Sequence, residues 1–135
     1  MVPVSMLRIM KKAFASDFAK YVKEGRWVRF SITGTADALP ILRPIAYDNA
    51  YGEFIEEPVY NGNELTTLTL TQAGGISDNN QLAFARAIGV QHYLEKELDS
   101  FSKMKRDYDY HIDVSKNEGS QYRRISVQCR FMDAF

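Results

Sequence analysis

The chain has 135 residues, enough to bury one core and too few for two comfortable ones, and its 45% hydrophobic and 13% aromatic content points to a single folded domain. Seventeen Lys and Arg balance seventeen Asp and Glu, so no net field draws nucleic acid or an anionic membrane, and no nucleic-acid partner is expected. A lone cysteine, Cys129, excludes an internal disulfide, and with His92 and His111 it makes no zinc-binding set, so neither metal nor cofactor is expected.

From the N-terminus, Pro3, Ser5 and Arg8 break up the only stretch that could act as a signal peptide, and no run of apolar residues is long enough to span a bilayer. Membrane contact is therefore expected only through a segment outside this chain. Ser5 can cap a helix over 5–24, in which Met6, Met10, Ala13, Phe14, Phe18, Tyr21 and Val22 recur at three or four residues and Gly25 marks the end. The period then changes. Val28, Phe30 and Ile32 alternate with Arg29, Ser31 and Thr33, a half-buried strand running into the loop Gly34, Thr35, Ala36, Asp37.

Residues 39–78 read as a long irregular connection with Pro40, Pro44, Pro58, Gly52 and Gly62, broken by one alternating patch that predicts a short strand over 66–71. The reading is a structured insertion whose Tyr47, Tyr51, Phe54 and Tyr60 pack on the rest of the domain. Asp78 or Asn79 caps the next helix, over 79–101, with Ala83, Ala87, Val90, Leu94, Leu98 and Phe101 as its apolar stripe. Tyr108, Tyr110, Ile112 and Val114 alternate with Asp109, His111 and Asp113. Beyond a turn over 116–120, Arg123 to Phe131 alternate again, so the two segments read as a closing hairpin. Charge is segregated, with bases dominating Arg8 to Arg29 and acids dominating Asp37 to Glu64, which reads as two solvated faces of one domain.

Few residues suggest reaction chemistry. His92 falls on a helix and His111 on the polar side of a strand, neither in a nucleophile–base motif. Asp107, Asp109 and Asp113 form a row along a strand and not a convergent cage. No enzyme is expected.

Two segments carry more when they are read together: Val28 to Asp37, VRFSITGTAD, and Asn79 to Leu94, NNQLAFARAIGVQHYL. The first ends a strand in Gly34, two residues and Asp37. The second runs Asn79, two residues, Leu82, Ala83, two residues, Arg86, Ala87. This pattern resembles the OmpA-like peptidoglycan-binding domains, whose strand ends in a Gly-His-Thr-Asp loop, whose helix opens Asn-x-x-Leu-Ser-x-x-Arg-Ala, and whose closing strand carries Asn-Arg-Arg-Val. Tyr122, Arg123, Arg124 and Ile125 stand at that last place. Thr35 and Ala36 replace His and Thr, Ala83 replaces Ser, Tyr122 replaces Asn, and Ala38, Leu39, Pro40 stand where a Gly is usual.

The resemblance implies an α+β, two-layer α/β sandwich with two main helices on one face of a mixed sheet, enlarged by the insertion over 39–78. At most Val2 to Val4 match the family's first strand, so the resemblance leads to the expectation of a domain start upstream. It also implies a non-catalytic module of the bacterial cell envelope, periplasmic or outer-membrane associated, that holds the diaminopimelate-containing stem peptide of peptidoglycan. Asp37 would take the ligand's ammonium and Arg86 its carboxylate, because a carboxylate and a bidentate guanidinium suit a zwitterionic amino-acid end. Arg86 is expected on the side of the helix away from Ala83 and Val90. Asn79, as the cap, would turn backbone N–H groups toward an anion, with Thr35, Leu82, Arg123 and Arg124 completing the site. The alternative is a structural or assembly module of the same family that has lost the ligand and uses its Tyr-rich insertion to contact an envelope protein partner.

Overall fold

The computed structural model describes residues 27–97, 106–118 and 125–132. These form an α+β unit: one mixed five-stranded sheet with one helix packed on it. The strands are β1 (Trp27–Ala36), β2 (Phe54–Asn61), β3 (Glu64–Leu70), β4 (Arg106–Val114) and β5 (Ile125–Met132), and the helix is α1 (Asn79–Glu97). The sheet order is β3-β2-β4-β1-β5, with β1 parallel to β4, β2 parallel to β4, and the remaining pairs antiparallel. The expected helix over 5–24, the end of the second helix beyond Glu97, and Arg123 and Arg124 lie outside the described residues.

β1 forms because its alternation suits a pleated strand; it lies between β4 and β5, and its Val28, Phe30 and Ile32 are wholly buried. In parallel register Phe30 faces Tyr108, Ile32 faces Tyr110, Gly34 faces Ile112 and Ala36 faces Val114, so these side chains share the face covered by α1. On the opposite face the polar residues pair among themselves. Arg29 bridges Asp107 at 3.1 Å, and His111 lies 2.9 Å from Asp109 with its ring stacked on Tyr60. That is where the row of aspartates goes, and among the described residues no cluster suits a metal ion.

Two sequence expectations about the sheet are overturned. β4 and β5 do not form a hairpin, because β1 lies between them. Alternation identifies strands but not their neighbours. The segment 39–78 is also not irregular outside its expected strand, which is seen as β3, since it supplies a second strand, β2. The β2–β3 hairpin turns through Gly62 and Asn63, and Gly62 has φ +63°, the positive value that tight hairpin turns demand. β2 escapes recognition because Glu56, at φ +49°, and a register shift between Phe54 and Glu57 break its alternation.

α1 is capped by Asp78, whose Oδ1 accepts the Gln81 N–H at 2.8 Å, while Gln81 Oε1 accepts the N–H of Ser77 at 2.7 Å and of Asp78 at 3.2 Å. This reciprocal arrangement is a capping box with Asp at the cap. The helix buries Ala83, Phe84, Ala87, Ile88, Val90 and Leu94, a wider stripe than the sequence reading had, which omitted Phe84 and Ile88. Phe84 meets Phe54 and Tyr110 edge-on at ring-centroid distances of 5.0 and 5.6 Å, so it ties β2, α1 and β4 into one core. The connection between β1 and β2 packs as expected. Tyr47 is buried, its hydroxyl donates to the Gly52 carbonyl, and burial raises its phenol pKa.

Candidate functional site

Gly34 decides how α1 sits on β1. A Cβ at this position would lie 1.8 Å from the Ala83 carbonyl oxygen and 3.0 Å from the Ala87 nitrogen, so only glycine allows this approach. Ala83 and Ala87, both fully buried, are the matching small residues on the helix. The glycine of the strand-end motif and the two alanines of the helix motif are thus one packing contact.

That contact brings Arg86 to the end of β1. Its Nη1 donates to the Thr35 carbonyl at 2.7 Å, two residues before Asp37. Asp37 is nearly buried at 6% exposure, and its Oδ1 accepts the Leu39 N–H at 3.2 Å, which shapes the first turn of the loop. The same loop is held by Ala38 N–H donating to Asn117 O at 2.9 Å, and the end of β1 by Ser115 N–H donating to Ala36 O at 2.9 Å. The site therefore stands over the carboxyl ends of two parallel strands, a place where open sheets commonly leave room for ligands.

Asn79 does not cap α1. Asp78 occupies that place, and the Asn79 amide instead donates to the Leu39 carbonyl at 3.1 Å, fastening the Asp37 loop to the start of the helix. With Asp78 at the cap, Asn79 does not hold the capping place from which its anion role was expected. Leu82 packs at the margin of the core. The expected angular position of Arg86 is also corrected: three residues after Ala83 and four before Val90, it shares their side of the helix and passes along the helix–strand seam. Thr35, Asp37, Asn79 and Arg86 are thus gathered around one strand end, each with a different task.

Arg86 also lines an open groove of about 430 Å³ with Tyr51, Gly89, Val90, His92, Tyr93, Lys96 and Ile125, and Asp37 is not among these lining residues. The Tyr51 ring lies against His92 at 4.8 Å between centroids, and its hydroxyl comes within 3.2 Å of where a Gly89 Cβ would be. The sequence reading missed this groove. Arg86, Gly89, Val90, Tyr93 and Lys96 follow helical spacing and could have been found as one face, whereas Tyr51 arrives from a loop far away in the chain.

Behind this face, Glu95 accepts the Tyr108 hydroxyl at 2.6 Å and lies 3.4 Å from Arg106 Nε. Burial by itself raises the Glu95 carboxyl, but the hydrogen bonds from Tyr108 and Arg106 and the Arg106 charge outweigh it and hold the group below its ordinary value. The Tyr108 phenol is pushed well up by burial and by the Glu95 carboxylate. Burial likewise raises Tyr110, which donates to the Gln91 side chain. These pairs lock α1 to β4. The chain matches no protein-family model, no curated protein and no solved structure.

Proposed function

We propose that this chain is an OmpA-like, non-catalytic module of the bacterial cell envelope that attaches without covalent bonds to the stem peptide of peptidoglycan and tethers an envelope protein to the cell wall. In this reading the fold is the two-layer sandwich of that family, with the segment 5–24 as a second helix beside α1. The observation that carries the reading is the Arg86 guanidinium on the Thr35 carbonyl, which sets a bidentate donor two residues from the Asp37 carboxylate at a strand end. Gly34 against Ala83 and Ala87 supports it, because the glycine and alanines of the two motifs act as one contact. A guanidinium presents its N–H donors in a planar fork, the geometry that matches a carboxylate.

In the proposed complex Arg86 takes the carboxylate of a diaminopimelate end and Asp37 its ammonium. Each charge-assisted interaction contributes about 1.5 to 3 kcal/mol where it is partly shielded from water, which suits a weak single site. Retention then comes from many such ligands on one polymer. The burial of Asp37 and its bond to Leu39 favour a second reading, a structural module of the same family whose exposed Leu42, Ile55 and Leu65 contact an envelope protein partner.

Sedimentation with purified peptidoglycan sacculi separates the two. The wild-type chain should sediment, while Asp37→Ala and Arg86→Ala should remain in solution with cooperative unfolding retained. Failure of the wild-type chain to sediment, or sedimentation of the double variant at the wild-type level, rejects ligand binding in favour of the structural module.

A further inference from the structure

We propose that the groove along α1 from Arg86 to Lys96 binds an extended, carboxylate-bearing peptide, with one carboxylate at Arg86 and a second at Lys96. The inference extends the stem-peptide reading and rests on it for the carboxylate at Arg86. The groove's described lining contains Arg86, Lys96 and His92 and no acid. Among the described residues the Lys96 ammonium makes no ion pair and no hydrogen bond. Its sequence neighbour Glu95 is turned to Tyr108 and Arg106 at the sheet and does not neutralise it.

The dimensions select the ligand. Lys96 lies ten residues after Arg86 along the helix, about 15 Å at 1.5 Å per residue. An extended peptide covers that distance in about four to five residues. Gly89 and the buried Val90 keep the floor low and apolar, while Tyr51 and Tyr93 supply ring surface for peptide planes and hydroxyls for their polar groups. A groove of about 430 Å³ lies within the range that holds small ligands.

The test uses the full chain and a dye-labelled peptide, acetyl-Glu-Ala-Gly-Ala-Glu-amide, with its Gln-for-Glu counterpart as the neutral control, followed by fluorescence anisotropy. The acidic peptide should bind and the neutral one should not. Lys96→Gln should weaken binding about two- to fivefold, the scale of one exposed ion pair, and Lys96→Glu should weaken it further. Arg29→Gln, on the sheet face away from α1 where Arg29 bridges Asp107, should leave binding unchanged. Absence of binding, equal binding of the neutral peptide, or binding indifferent to Lys96→Glu overturns the proposal.

Sacculus sedimentation of the same variants keeps the two ideas apart. Wild-type sedimentation without Lys96-dependent peptide binding leaves the stem-peptide reading standing and removes the groove. Lys96-dependent peptide binding without wild-type sedimentation keeps the groove and removes peptidoglycan as its ligand.

Discussion

Replacing Gly34 by Ala tests the contact on which the candidate site depends. The new methyl would sit 1.8 Å from the Ala83 carbonyl oxygen, 2.9 Å from its carbonyl carbon and 3.0 Å from the Ala87 nitrogen. Since ordinary contact begins near 3.4 Å, α1 must retreat from β1 by roughly 1.6 Å. All three obstacles are backbone atoms, so no rotamer change relieves them. Overpacking a core costs about 1 to 3 kcal/mol, and a retreating helix also loosens Phe84 and Ile88, which puts the expected cost at about 3 kcal/mol or more. With an unfolding entropy of about 2.1 cal/mol/K per residue, that is a fall in Tm of roughly 10 °C for a chain of this length. Circular dichroism melts of wild type, Gly34→Ala and Gly62→Ala provide the assay. Gly62 has open space around its Cβ position and only a positive φ to satisfy, so its replacement should cost about 1 to 2 kcal/mol. A Gly34→Ala protein that melts within about 2 °C of wild type, or no lower than Gly62→Ala, would refute the close approach of helix and strand.

Glu95→Gln should destabilise the protein near neutral pH. A depressed carboxyl pKa contributes stability that is present above the unfolded value of 4.5 and is lost as pH falls through the folded value. The gap between Glu95→Gln and wild type in urea titrations should accordingly close in acid, and a gap that persists below about pH 3 counts against the Tyr108 and Arg106 bonds as its source. Asp78→Ala should cost about 1 kcal/mol through loss of the cap, and Asp78→Ser should recover most of it. Equal losses for both variants in the same titration would assign the effect to something other than capping.

Local periodicity alone identified β1, β3, α1, β4 and β5, because each presents its apolar residues at the period its own backbone dictates. The resemblance to OmpA-like motifs joined Gly34, Asp37, Ala83, Arg86 and Ala87, although not the reason, which is that strand and helix backbones touch at the glycine. Partner choice was decided elsewhere. Nothing in the alternation of β4 and β5 records that β1 separates them, since alternation fixes the face each side chain takes and not the strand that lies alongside. β2 was hidden by the bulge at Glu56, whose backbone bends out of the period that sequence reading looks for. The cap fell to Asp78 and left Asn79 to hold Leu39, a choice between adjacent residues of similar chemistry that only the geometry of the helix start can make. The groove, too, needs Tyr51 brought from the loop before β2 to the face of Arg86, Tyr93 and Lys96, and such a meeting of distant segments is a property of packing and not of any local pattern.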